Sequence, residues 1–245
     1  MRALTIAAIS LSVASCASVP GETSRSDPYE GFNRSMTAFN LGLDEAVLEP
    51  VSKGYTAVTP QWGRDRVRDF FVNLGEPITF MNDVFQGEGE RALQTGFRFT
   101  INSTIGLGGL FDIARFEGLP SHKEDFGQTL AVWGVDSGPY IVLPLLGSTN
   151  PRDLVGFGFD RAVNPWNFVT YSADSDEDLA IRLGLTAING INTRSRIQGQ
   201  IEALRSQPEP YVALRRTYTS NRDAEIRNGQ SDPNAYEELP DFDDF

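Results

Sequence analysis

Between Phe97 and Asp153 the chain carries two apolar, glycine-punctuated runs, which limit what it can fold into more than any other stretch. Phe99 to Phe111 contains no charged residue, and Phe126 to Pro151 contains only Asp136. Neither is the continuous apolar span of roughly 20 residues that a transmembrane helix needs, because Gly, Pro or Asn interrupts each. Apolar runs of roughly 10–14 residues read instead as buried core helix or as segments lying in a membrane interface. On residues alone both readings stay open. Pro139, Pro144 and two glycines make the second run poor material for a soluble bundle. Non-helical backbone at membrane depth is tolerated where protein buries it or a polar cavity takes it up.

The amino terminus adds a membrane connection of its own. Arg2, the apolar Ala3 to Val13 and the small pair Ala14-Ser15 mark residues 1–15 as a targeting segment, outside the fold proper. Cys16, the only cysteine, closes a Val-Ala-Ser-Cys sequence that resembles a bacterial lipobox, whose cysteine is lipidated and becomes the mature terminus. The alternative is a secretory peptide followed by a free cysteine. Several acyl chains on one cysteine hold firmly, at about 0.8 kcal/mol per buried methylene. Ala17 in place of Asp fits the sorting pattern of outer-membrane lipoproteins, so the protein is expected on the periplasmic face, with residues 16–26 as a tether. A formal charge of −12 and the lack of a Lys/Arg cluster exclude nucleic acid as a partner. The acidity also opposes attachment to anionic headgroups, so membrane contact beyond the anchor must rest on apolar burial.

From Asp27 to about residue 227 the pattern is that of one helical domain, within the one or two that 245 residues allow. Met36, Phe39, Leu43 and Val47 recur at helical spacing up to Glu49-Pro50, which should end or kink the helix. Pro60 opens a second helix, with Val67, Phe70, Phe71 and Leu74 on one face and charges on the others, expected to stop at Gly75-Glu76-Pro77. A short helix from Ile78 to Phe85 follows, then one with Leu93, Phe97, Ile101 and Ile105 four apart. A mixed segment from Leu154 should end near Asn164-Pro165. Asp174, Ser175 and Asp176 read as the cap of a long helix reaching about Leu204, with Gly184 and Gly190 inside it as a candidate hinge. A last helix starts near Glu209, and residues 228–245 form an acidic tail expected to be disordered. Only Leu130–Val135 and Tyr140–Leu146 have strand character. The expected fold is all-α with little or no strand.

Catalytic chemistry finds few residues to work with. A nucleophile needs a base beside it, and the one histidine, His122, lies in a charged loop and is expected at the surface. One His and one lipidated Cys do not make a zinc site. Gly106-Leu107-Gly108-Gly109 follows a helix rather than a strand, so it reads as a tight turn and not a dinucleotide fingerprint. No enzyme, metal or cofactor is therefore expected.

Four stretches carry a wider likeness: DPYEGFNR (27–34), NLGEP (73–77), RFTINSTIGLGGLFDIA (98–114) and EDFGQTLAVWGVDSGPYIVLPLLGSTNPRD (124–153). They resemble the MlaA/VacJ lipoproteins of Gram-negative outer membranes over nearly all of Asp27 to Asp223. Asp136-Ser137 departs from the glycine often found there. The resemblance implies a ring-like bundle of amphipathic helices seated in a membrane leaflet, around an amphipathic channel for phospholipids. It implies removal of mislocalised phospholipid from the outer leaflet, delivery to a periplasmic carrier (MlaC-like), association with a trimeric porin, and no cofactor. On that reading Asn33, Asn40, Asn73, Asn82 and Asn102 can offer uncharged polar groups to headgroups; their other reading is capping and turn formation. Phe99, Ile105, Leu107, Phe111, Tyr140, Leu143 and Leu145 are expected against lipid, and the 175–204 helix beside the channel. A passive structural lipoprotein that binds a porin or the cell wall, and a hydrolase with His122 as base, remain as alternatives.

Overall fold

The computed structural model describes residues 27–169 and 174–230. Cys16, the tether and nearly all of the acidic tail lie outside them. Among the described residues there are nine α-helices and one small hairpin, in agreement with the expected all-α class.

Helix α1 (Glu30–Leu43) passes through a π-helical turn (Asp44–Leu48) into α2 (Glu49–Val58). Pro50 therefore does not end the helix. The π turn just before it shifts the hydrogen-bond ladder where the proline lacks an N–H and its ring crowds the preceding turn. Likewise α3 (Gln61–Gln86) runs unbroken for 26 residues through Gly75-Glu76-Pro77, so the two helices expected there are one. Side chains to either side of Pro77 hold it: Asn73, Glu76, Thr79 and Asn82 are all buried on one face. Gly87, in the left-handed conformation (φ 80°), ends the helix, and Glu88 N–H returns to the Asp83 carbonyl at 2.9 Å.

Helix α4 (Gly89–Thr104) packs against α3 and runs into a turn in which Leu107, Gly108 and Gly109 all have positive φ. Gly109 is required there: a Cβ would lie 2.4 Å from Asn73 Cβ. After a 3₁₀ turn (Ala114–Glu117), α5 (Phe126–Val132) takes the first half of Leu130–Val135, the segment that had strand character in the sequence. Asp125 caps it by accepting from Gln128 N–H at 3.0 Å. Strands β1 (Ile141–Leu143) and β2 (Gly147–Thr149) pair antiparallel, Val142 opposite Ser148, around a loop in which Leu145 takes φ 65°.

Asn150 caps α6 (Pro151–Val163), and a 3₁₀ turn (Pro165–Phe168) follows. Asp174 caps α7 (Ser175–Arg196), as expected. That helix stops at Ile197, short of Leu204, and α8 (Gln198–Arg205) continues as a separate piece before α9 (Pro210–Ile226). A small core of Tyr140, Val142 and Tyr211, with Met36, Val212 and Tyr218 against it, joins the hairpin to α1 and α9.

Candidate functional site

Burial in this molecule runs opposite to that of a soluble bundle. Among the described residues the buried apolar side chains are Ala92, Ala114, Tyr140, Val142 and Tyr211, and the buried polar set is far longer. On α4 the inward face is Ala92, Thr95, Arg98 and Asn102. The apolar stripe read from the sequence points outward, with Leu93, Phe97 and Ile105 at 64%, 58% and 68% exposure. On α3 the inward face is Asp69, Asn73, Glu76, Thr79, Asn82 and Asp83. Apolar patches this extensive mark contact with another protein or a membrane. No helix among the described residues is long and apolar enough to cross a membrane.

The charges of the polar interior are paired, as buried charges must be, although Asn73 Oδ1 and Gln128 Oε1 are left without a hydrogen-bond partner. Arg98 bonds Glu76 at 2.9 Å and Asp112 at 3.1 Å. Asp44, in the π turn, receives both Arg194 and Arg205, tying α7 and α8 to the first helical rod. Arg222 on α9 bonds Asp125 at 2.6 Å and Asp153 at 2.9 Å. Burial pushes both carboxyls up, but the Arg222 bonds outweigh it and hold them below the usual range. At Glu76 and Glu124 burial prevails over their arginine partners, and both are raised.

His122 is not at the surface. Its side chain is 15% exposed, and Nε2 lies 3.1 Å from Asp83 and 3.3 Å from Thr95 Oγ1. Both contacts fall on the same nitrogen, so this is not a relay with nucleophile and carboxylate on opposite ring nitrogens. Asp83, His122 and Glu124 bring donor atoms within 4.8 Å of one another, the one such set among the described residues. Arg91 already supplies positive charge there, 2.5 Å from Glu124 and 3.7 Å from Asp83.

A cavity of about 1090 Å³ lies between α3, the 121–125 segment, β2, α6, α7 and α9. Phe71, Val72, Ile78 and Phe157 give it apolar wall, while Arg68, Lys123, Arg161, Arg196 and Arg222 bring cations. Its carboxylates include Asp125, Asp153 and Asp160. Burial raises the Asp160 carboxyl, and bonds from Phe126 N–H and Asn82, together with the Lys123 charge, draw it partly back. Such a wall can receive a molecule with an apolar body and a polar end.

The structure scatters the residues singled out from the sequence. Asn33 is fully buried: its amide donates to the Tyr140 carbonyl and Asp27, and its oxygen accepts from Val142 N–H. Asn40 clamps the hairpin loop through Leu143 O and Leu145 N–H. Asn73 donates to Ser103, and Asn102 bridges Asp112 and Ala114 N–H. Asn82 donates to Asp160 and accepts from Thr129. All five hold backbone or buried polar groups, and none lines the cavity. Ile105, Leu107, Leu145 and Phe111 are exposed, the last beneath the Arg66 guanidinium at 4.6 Å. Phe99 and Leu143 are half-buried, and Tyr140 sits in the core, bonded to Ser148. Gly184 and Gly190 have open space around them, so close packing does not explain them. The C-terminal half of α7 does border the cavity, through Asn189, Asn192, Thr193 and Arg196. Sequence reasoning missed Asp160, Arg161 and Phe157, whose only signal was a helix of mixed character, and gave no role to Asp153, which closes the 124–153 stretch.

Comparison with known proteins agrees over most of the chain. The family model of the MlaA lipoprotein matches residues 25–225. A Rickettsia felis protein is 39% identical over 203 residues, covering 82% of this chain and 78% of that one. The Haemophilus influenzae intermembrane phospholipid transport system lipoprotein MlaA is 33% identical over 229 residues, covering 89% and 85%. A solved structure from work on the structural basis for maintenance of bacterial outer membrane lipid asymmetry superposes with TM-score 0.72 at 32% identity, over 82% of this chain and all of the other.

Proposed function

Because the chain belongs to the MlaA lipoprotein family, we propose that it removes mislocalised phospholipid from the outer leaflet of the outer membrane and so maintains lipid asymmetry. The observation that carries this reading is the reversed burial together with the cavity. The apolar exterior suits a lipid leaflet, and the polar interior holds an amphipathic space of about 1090 Å³. The protein transports intermembrane phospholipid, as its Haemophilus relative is named for doing. It is a transport lipoprotein rather than an enzyme. Residues 1–15 leave as a signal peptide, Cys16 carries the lipid anchor on the periplasmic face, and residues 16–26 span the gap to the domain. Phospholipid passes through the cavity to a soluble periplasmic carrier, and a trimeric porin steadies the assembly. Ile105, Leu107, Phe111 and Leu145 meet the leaflet, and α7 flexes at Gly184 or Gly190.

The test is outer-leaflet phospholipid in cells lacking the protein, read by a lipid A acylation reporter and detergent sensitivity. Surface phospholipid should rise, and restoring it should require Cys16 and residues 97–153. Unchanged surface lipid in cells proven to lack the protein would leave a passive structural lipoprotein instead.

A further inference from the structure

Most charged groups along the cavity are already neutralised by a partner. Arg68 bonds Asp69 at 2.5 Å, Arg196 bonds Asp65 at 2.9 Å, and Arg222 holds Asp125 and Asp153. The carboxylates are equally occupied: Glu76 by Arg98, Glu124 by Arg91, and Asp160 by Asn82 and Phe126 N–H. Two cavity cations are left over. Among the described residues, neither the Arg161 guanidinium nor the Lys123 ammonium has an ion-pair or hydrogen-bond partner. Arg161, Lys123 and Asp160 all line the cavity, with Arg161 next to Asp160 on α6 and the Lys123 charge acting on the Asp160 carboxyl. Phe157 lies one helical turn before Arg161, giving it an apolar neighbour. In a chain of net charge −12, uncommitted positive charge on the exposed wall of a cavity is a place to receive an anionic group.

We infer that Arg161 and Lys123 form the phosphate-recognising part of the cavity, and that they select lipids whose headgroup carries a phosphodiester anion over uncharged lipids of the same chain length. This rests on the transport reading and names the chemistry by which the cavity recognises its cargo. Arg161 supplies a planar fork suited to two phosphate oxygens and Lys123 a point charge.

The experiment uses the full-length lipoprotein in detergent and titrates it with dihexanoyl phosphatidylglycerol, with dihexanoylglycerol, and with inorganic phosphate. The phosphatidylglycerol should bind about tenfold or more tighter than the diacylglycerol, the scale of one charge-assisted hydrogen bond. Arg161→Glu with Lys123→Glu should erase that ratio while the melting temperature stays near wild type. Arg161→Lys should keep most of it. Because both side chains are exposed, charge reversal there need not disturb folding; if the double variant fails to fold, Arg161→Gln alone is read the same way. A folded variant that keeps the wild-type ratio overturns the inference but leaves the transport reading standing. Inorganic phosphate binding as tightly as the lipid overturns it in favour of a free-anion site. A wild-type protein that binds neither lipid sinks the transport reading and this inference with it.

Discussion

Single side chains in this molecule act as cross-links between distant parts of the chain. Arg222 joins α9 to the start of α5 and of α6 by bonds to Asp125 and Asp153. Removing one partner of a half-buried pair leaves the other charge poorly compensated, so Arg222→Gln should destabilise the fold by about 1–3 kcal/mol at neutral pH. The two carboxyls are held below their ordinary range when folded. The unfolded chain therefore takes up protons first as pH falls, and the stability they contribute, full above about pH 5, is lost on descending through the folded-state values. The gap between wild type and variant, read from urea midpoints, should be widest near about pH 7 and shrink toward about pH 3. A gap that stays constant would remove the ion pair as its cause. Asn33 does for the hairpin what Arg222 does for the helices. Asn33→Ala orphans the Val142 N–H and Tyr140 carbonyl in a fully buried site, which should lower stability by about 2–3 kcal/mol in chemical denaturation. An effect under about 0.5 kcal/mol would mean that water replaces the amide.

At the scale of elements, α5 and α6 meet backbone to backbone at a pair of glycines. A Cβ on Gly156 would lie 2.2 Å from Gly127 N and 2.6 Å from its Cα, both backbone atoms that cannot swing aside. Gly156→Ala should therefore force the helices apart and lower stability by about 1–3 kcal/mol or more. Gly158→Ala, with open space around it, should be neutral or stabilising by up to about 1 kcal/mol. Equal melting shifts for the two would contradict the packing. Helix positions were readable because the apolar period of 3.6 survives whichever side the stripe faces. The direction was not readable: Leu93, Phe97 and Ile105 mark a face without saying whether protein or lipid covers it. Pro50 and Pro77 misled for a related reason. A proline states a local cost, while the Asp44 bonds to Arg194 and Arg205, which fasten the turn beside Pro50, reach some 150 residues along the chain. Nothing in the local pattern announces partners so far away. The cavity was hidden in the same way, since its walls come from six separated segments.

For the whole molecule, the outward apolar surface is of the kind that marks contact with a membrane or another protein, and on the proposed reading the leaflet covers it whether or not an anchor is present. A Cys16→Ala protein expressed without residues 1–15 should still pellet with phospholipid vesicles, and in their absence it should need detergent to stay monodisperse. Persistent monomer in plain buffer would show that the exposed Phe97, Ile105 and Leu145 need no cover. The reversed burial also shapes the response to temperature. Ordinary domains gain about 12–15 cal/mol/K of heat capacity per residue on unfolding, because apolar groups meet water for the first time, whereas newly exposed polar groups lower it. Here the interior that unfolding opens is rich in Asn, Asp, Glu and Arg. With its exterior covered by detergent in both states, the protein should unfold with an unusually small heat-capacity increment, and its stability should decline along a shallow curve, with cold denaturation displaced far below the freezing point.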